Sequence, residues 1–198
     1  MKQKWNTIPL EVRKFLGRGA ILFIVWKLLF HLALQPAQWP DAPLVKAIAQ
    51  QTSTVLNTLH GEKLYSYSIV NKSHTIRENK NEKLYHGTSG YILKHQKPVL
   101  LIVPNCNGLE LMVLFAGFIV SFPGRWQRKL WVIPAGIVII HLVNVLRSAA
   151  LVSMHAGSLK TYFNFAHHYL FSLTIYLIIF LLWAWYVKTE QKHYKQKA

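Results

Sequence analysis

Cys106, the only cysteine of this chain, is the residue whose type and position most strongly suggest chemistry. Pro104 disfavours helix just before it, and an apolar run continues past it to Phe122. Asn107 is a good helix N-cap, and Glu110 follows three residues later, where the partner in a capping box belongs. The pattern predicts Cys106 at the N-terminal end of a helix, where the positive end of the helix dipole favours the nucleophilic thiolate.

Three more polar residues of suitable types occur in the apolar segments that follow. Arg147 lies inside one apolar run, where an arginine is costly to insert, and His167 and His168 begin the next run. A thiolate attacks an acyl carbon and a histidine exchanges the proton, while an arginine stabilises the oxyanion or holds a substrate carbonyl. Together these residues indicate nucleophilic acyl transfer.

Each of these residues also has a structural interpretation. Cys106 could be a small core hydrophobe, Arg147 could snorkel to lipid headgroups, and the two histidines could lie at the interface as decoration. Asn144, one helical turn before Arg147, could orient it or bond a neighbouring helix. Glu110 could cap its own helix or pair with Arg147. The histidines show no metal-ligand spacing, and we expect neither a metal nor a cofactor.

The composition indicates a membrane protein. Hydrophobic residues make up 52% of the 198 residues and charged residues only 15%, well below the ~25% of soluble domains. The net charge of +16 would suit nucleic acid, but the basic residues cluster between long apolar runs, which argues against that class. A single cysteine excludes an internal disulfide framework and a multi-cysteine zinc site.

Four apolar runs are candidate membrane spans, and they cover Gly19 to Leu34, Val99 to Phe122, Leu130 to Met154 and Ala166 to Val187. The first could be a signal peptide, but no convincing cleavage site follows it, so we expect it to be retained. Lys27 inside it would snorkel, face other helices or mark a displaced span. Lysines and arginines in the short connecting segments favour two cytoplasmic termini. Cys106, Arg147 and the histidines would then lie at the outer face.

A long polar segment, residues 35–98, separates the first two apolar runs. Apolar residues recur at helical spacing from Asp41 to Leu59, which predicts an amphipathic helix along the membrane face or against the bundle. Short strand-like pieces follow as far as Leu93 and predict a small β-rich cap. The predicted fold is mainly α, an integral membrane bundle of about four transmembrane helices with an amphipathic helix and a small β-rich extracytoplasmic insertion.

The chain divides into four regions on this pattern. Residues 1–34 form an N-terminal cytoplasmic segment with the first transmembrane helix, and residues 35–98 form the extracytoplasmic insertion. Residues 99–187 form a core with three transmembrane helices, and residues 188–198 a basic cytoplasmic tail. The sequence shows no internal repeat.

Three motifs, in this order, resemble those of the exosortase and archaeosortase family. Cys106-Asn107-Gly108 looks like its C-x-G motif, and Asn144-Val145-Leu146-Arg147 looks like its N-x-x-R motif. The histidine that opens the last apolar run looks like its third motif residue. Ser172 stands four residues after His168, where the family often has glycine, which favours His168 over His167. The short chain with one long polar segment resembles exosortases of the Bacteroidetes type.

The resemblance implies a cysteine transpeptidase or protease embedded in the cell inner membrane. Cys106 would be the nucleophile, His168 the general acid and base, and Arg147 the oxyanion or substrate stabiliser, with Asn144 and His167 in support. Such an enzyme cleaves C-terminal sorting signals, each a short motif, a membrane helix and a basic cluster, and transfers the acyl group to an envelope acceptor. Its partners would be exported proteins carrying such signals and membrane lipids, and not nucleic acid. The alternative is a non-catalytic membrane scaffold or polysaccharide-export component that binds anionic lipid or glycan.

Overall fold

The computed structural model describes residues 10–71, 74–78, 81–85, 87–156 and 170–197. Its helices are α1 (Leu10–Leu29), which a π-helical turn (Phe30–Leu34) extends, α2 (Asp41–His60), α3 (Leu109–Ser121), α4 (Trp126–Ala156) and α5 (Phe171–Lys197). Its strands are β1 (Tyr65–Val70), β2 (His74–Glu78), β3 (Asn81–Tyr85), β4 (Ser89–Lys94) and β5 (Lys97–Ile102). A short 3₁₀ turn (Pro104–Cys106) leads into α3.

Three helices of the described chain are long and apolar enough to cross a membrane, through Val12–Leu34, Trp126–Met154 and Phe171–Lys192. The fourth apolar helix, α3, has 13 residues, about 20 Å of helix against a hydrocarbon core of about 30 Å. The apolar run that starts at Val99 is therefore not one continuous helix. Its first part belongs to strand β5, which ends at Ile102. Pro104 then begins the tight turn that separates this strand from α3. The predicted class, a helical membrane bundle with a small β insertion, is confirmed.

Apolar side chains of α3, α4 and α5 form the core of the bundle. The buried set is Met112, Phe115, Ile119, Ile140, Ile175, Ile179 and Tyr186. Gly136 of α4 lets α3 approach closely, because a Cβ atom at this position would overlap the ring of Phe115. The outward faces carry large exposed apolar side chains, for example Ile24, Leu142 and Leu173. Such extensive apolar exposure is typical of a surface that faces lipid.

One end of the bundle is held by a buried charged cluster. The carboxylate of Glu190 on α5 accepts a hydrogen bond from the guanidinium of Arg128 on α4 at 3.1 Å. The Lys129 ammonium donates to the carbonyls of Val120 and Phe122, at 2.9 and 2.7 Å. These carbonyls lie at the C-terminal end of α3, where backbone carbonyls have no N–H donor within the helix. The start of α4 is thus fixed against α5 through Arg128 and against the end of α3 through Lys129. Helix α5 continues through residue 188, where the sequence suggests a separate tail.

The predicted amphipathic helix is confirmed as α2. Its inward face buries Asp41, Val45, Ile48, Ala49, Thr52, Ser53 and Leu56. It packs on β1 and β4 and on the C-terminal half of α4, where Val145, Ala149 and Val152 join the same core. A side-chain hydrogen bond of 2.8 Å between Gln51 of α2 and His141 of α4 adds a polar contact. Of the two predicted placements for this helix, packing against the bundle is the one the structure shows.

The five strands form two antiparallel sheets, one with the order β1-β4-β5 and one a hairpin of β2 and β3. Ile92 of the central strand β4 lies opposite Tyr67 of β1 and Leu100 of β5. The sequence predicts the first four strands but not β5, which it places in a membrane segment. Strand β5 leads directly into the turn that carries Cys106.

Candidate active site

The sheet anchors the turn that carries Cys106. Strand β5 ends at Ile102, and the N–H of Cys106 donates to the Val103 carbonyl at 2.9 Å to close the 3₁₀ turn. Pro104 occupies the first position of this turn, where no N–H donor is needed. The Cys106 side chain is half-buried, and α3 begins three residues later. The predicted position of Cys106 at the N-terminal end of an apolar helix is confirmed.

The predicted capping box is wrong in its details. The N-cap of α3 is Gly108, whose φ of +78° suits glycine and makes no side-chain cap. Asn107 stands one residue earlier and accepts a hydrogen bond from the N–H of Leu109 at 2.9 Å. Because the left-handed residue separates Asn107 from the helix, Glu110 no longer stands three residues after the N-cap.

Glu110 instead joins α3 to α1. Its carboxylate accepts a hydrogen bond from the Lys27 ammonium at 2.8 Å. Neither role that the sequence suggests for Glu110, helix cap or partner of Arg147, is observed. The same contact shows that Lys27 faces a neighbouring helix, which is one of the alternatives that the sequence leaves open. The ion pair lies beside the Cys106 turn and therefore links α1 to the site.

Asn144 of α4 supports the Cys106 turn from the other side. Its amide donates to the backbone carbonyl of Asn107 at 3.3 Å, and its side chain is 2% exposed. A Cβ atom at position 108 would overlap this amide. The two sequence motifs are thus in direct contact, and glycine is required by that contact as well as by its φ. Of the two predicted roles for Asn144, bonding a neighbouring element is the one observed.

Asp41, the first residue of α2, is a site residue that the sequence analysis misses. Its carboxylate accepts a hydrogen bond from the Asn107 amide at 2.6 Å, between two buried side chains. Burial raises the pKa of Asp41, the Asn107 hydrogen bond opposes this, and the charge of Glu110 adds to the rise. The partners are 66 residues apart, so no local pattern could reveal the pair. An acidic residue in the first helical turn was the only available signal.

A cavity of about 250 Å³ opens beside this turn. Cys106 and Arg147 both line it, together with Asp41 and Asn144. The other lining residues come from the π-helical turn, the Cys106 turn, α3 and α5, and they are Phe30, Pro104, Asn107, Gly108, Leu109, Glu110, Leu111, Ser172, Ile175 and Tyr176. Small-molecule pockets span about 300–1,000 Å³, so this cavity lies just below that range.

Arg147 brings positive charge to the cavity wall. It lies one helical turn after Asn144 and is half-buried. Neither ion pair found in the described residues, Lys27 with Glu110 and Arg128 with Glu190, involves Arg147. A guanidinium on the cavity wall suits a carbonyl oxygen or an anion that enters the cavity.

The two histidines proposed from the sequence, His167 and His168, lie outside the described residues. The described cavity residue that is closest to them in the sequence is Ser172, four residues after His168. Helix α5 therefore begins at the cavity. The structure thus brings together Cys106, Arg147 and Asn144 from the sequence-predicted set and adds Asp41 to them.

We expect Asp41→Asn to flatten the pH dependence of stability. Because burial raises the pKa of Asp41, the folded protein holds this proton more tightly than the unfolded chain. Wild-type stability therefore falls as pH rises from the pKa of the unfolded carboxyl through the higher pKa of the folded one. Asparagine keeps an oxygen for Asn107 but does not titrate, so the variant lacks this fall.

Thermal unfolding in detergent over a pH series from about 4 to 7 measures this difference. Glu62→Gln is the matched control, because Glu62 is exposed and should leave the wild-type slope unchanged. Equal slopes for Asp41→Asn and wild type would contradict the prediction.

These features define a class of protein, a membrane-spanning helical bundle with a cysteine and an arginine in one cavity at its end. Among protein families, the chain matches the model of the transmembrane exosortases (Exosortase_EpsH) over residues 14–185. The chain belongs to this family, which confirms the resemblance seen in its motifs. Membership supports a membrane transpeptidase or sorting role in general, with protein substrates that carry sorting signals. Searches of the curated proteins and of the solved structures found no match.

Proposed function

We propose that this protein is a cysteine transpeptidase that cleaves C-terminal sorting signals of exported proteins and transfers them to an envelope acceptor. The observation that supports the proposal is the shared cavity, because Cys106 and Arg147 both line it. Two separate sequence motifs of the family supply these residues. Asn107 and Asn144 are both buried, and the Asn144 amide donates to the Asn107 backbone carbonyl, which joins the two motifs.

The first half of the reaction forms a thioester. The Cys106 sulfur attacks the carbonyl carbon of the scissile peptide bond, and His168 takes the thiol proton. The Arg147 guanidinium stabilises the negative oxygen of the tetrahedral intermediate. The C–N bond then breaks, and His168 returns the proton to the departing amine. His168 receives this role from its sequence position, with His167 as the alternative.

The second half transfers the acyl group. An amine of the envelope acceptor attacks the thioester carbonyl, loses a proton to His168, and forms an amide while the Cys106 thiol is restored. Water can attack in the same way and release a carboxylic acid. Water is scarcer at the membrane boundary than in bulk solution, which favours transfer over hydrolysis.

The proposed location is the inner membrane, with both termini in the cytoplasm and the cavity on the outer side. Arg125, Arg128 and Lys129 lie at the bundle end where α4 begins, and Arg147 lies about 30 Å further along the same helix. Basic residues in short loops favour the cytoplasmic side. The cavity would then face outward.

Labelling of Cys106 tests this orientation. We expect a small membrane-impermeant thiol reagent to modify Cys106 in spheroplasts. In the matched control, Cys106→Ala with Arg125→Cys places a single cysteine at the opposite end, and it should react only after lysis. Labelling of Arg125→Cys in intact spheroplasts, with Cys106 reacting only after lysis, would show the inverted topology.

The decisive test of the chemistry is to trap the thioester. The probe is an exported reporter protein whose C-terminus carries a motif, an apolar span and a basic cluster taken from the same genome. We expect a covalent adduct between the chain and the reporter that neutral hydroxylamine releases. The Cys106→Ala variant should form none. An adduct that resists hydroxylamine, or forms without Cys106, would overturn the proposed mechanism.

A further inference from the structure

A second and larger cavity lies between α1 and α3, in the apolar part of the bundle. It is a groove of about 650 Å³, and most of its wall is apolar. Among the described residues, the charged ones that line it are Lys27 and Glu110, which pair with each other at 2.8 Å. From Phe15 to Leu29, the α1 wall extends for about 21 Å, roughly two-thirds of a hydrocarbon core.

Four small residues are part of the wall of this groove. Gly19 and Ala20 of α1 face it, as do Ala116 and Gly117 of α3. A Cβ atom added at Gly117 would meet no atom within 4 Å, so the space above it is open. Small residues on a membrane helix allow the backbone of another helix to approach closely.

The groove adjoins the cavity that contains Cys106. Glu110, Leu111 and Tyr176 line both. A chain that left the Cys106 cavity past these residues would pass directly into the groove. The Glu110 carboxylate stands at this junction, and its side chain is 74% exposed.

We propose that this groove docks the transmembrane helix of the substrate's sorting signal, while the residues that precede that helix enter the Cys106 cavity. The inference rests on the proposed function, because it takes its occupant from the substrate class of that reaction. A lipid acyl chain could fill the groove. It would give no reason for the position of the groove directly beside the Cys106 cavity.

Disulfide cross-linking tests the proposal without requiring catalysis. Cys106→Ala removes the only cysteine of the chain, so one new cysteine can be placed at will. The Gly117→Cys substitution puts this cysteine on the wall of the groove. Val138→Cys is the control, because Val138 is exposed on α4. It lies nine residues from Arg147, just as Gly117 lies nine residues from Gly108, so the two positions are at a similar distance from the Cys106 cavity along their helices. The tail-bearing reporter carries one cysteine at the centre of its apolar span.

We expect the Gly117→Cys variant to cross-link to the reporter at least about fivefold more than the Val138→Cys variant. Processing of the same reporter by the wild-type chain is measured in parallel. Processing with equal cross-linking at both positions would overturn the groove and leave the proposed function standing. Preferential cross-linking without wild-type processing would support the groove and overturn the cleavage activity. Equal cross-linking without processing would overturn both.

Filling the groove provides a second measurement. Gly117→Trp should lower reporter processing at least about tenfold, because the indole would occupy the space above residue 117. The alkylation rate of Cys106 should stay at the wild-type value, which shows that the turn is intact. Unchanged processing by a stably folded Gly117→Trp variant would contradict helix docking in the groove.

Discussion

Cys106→Ala should abolish cleavage of the tail-bearing reporter, with a loss of at least about 10³-fold, and Cys106→Ser should be nearly as inactive. Alanine offers no nucleophile. The serine hydroxyl is far less acidic than a thiol, so a site built for a thiolate does not activate it. The measurement is the ratio of cleaved to full-length reporter in cells that express equal amounts of each variant.

The same experiment separates the enzyme from the non-catalytic alternative. Arg147 lines the cavity and could also bind an anionic lipid or glycan in a scaffold. A scaffold would tolerate both Cys106 variants and fail with Arg147→Ala. The transpeptidase loses processing in all three variants. Full processing by Cys106→Ala and Cys106→Ser would therefore overturn the enzyme and favour the scaffold.

Local sequence patterns predict those features that depend on neighbouring residues. The periodicity of apolar residues indicates α2, and the apolar runs indicate the membrane helices. Pro104 and Asn107 before an apolar run indicate the start of a helix, and Cys106 lies at that start. These features could be predicted because each rests on spacing within one or two helical turns.

Other features depend on contacts across the fold. The apolar residues of β5 continue into those of α3, and short apolar runs do not distinguish a strand from a buried helix. Asp41 meets Asn107 only because α2 packs beside the Cys106 turn. Glu110 pairs with Lys27 because α1 lies against α3. A single sequence does not record these partners.

The contact between Gly108 and Asn144 leads to the second large effect, which we expect from Gly108→Ala. A residue with a Cβ atom at a φ of +78° costs about 1–2 kcal/mol. The added methyl group also overlaps the Asn144 amide, which must give up its hydrogen bond to the Asn107 carbonyl, worth about 1 kcal/mol. The sum is a destabilisation of about 2–3 kcal/mol, centred on the turn that holds Cys106.

We expect Gly108→Ala to lower the thermal unfolding temperature in detergent and to reduce reporter processing at least about 100-fold, because Cys106 loses its fixed position. Gly17→Ala is the matched control. Residue 17 is helical with nothing near its Cβ position, so alanine should be neutral or stabilising there. A Gly108→Ala variant with wild-type stability and processing would contradict the predicted overlap.

A double-mutant cycle isolates the contact itself. Asn144→Ala alone removes the hydrogen bond to Asn107, and in its presence the Gly108→Ala methyl group no longer meets an amide. The two substitutions should therefore destabilise less together than the sum of their separate effects. The strain of the positive φ remains in the double variant, so stability recovers only in part. Strict additivity would mean that the two motifs do not touch, and that the turn carrying Cys106 is positioned by other contacts.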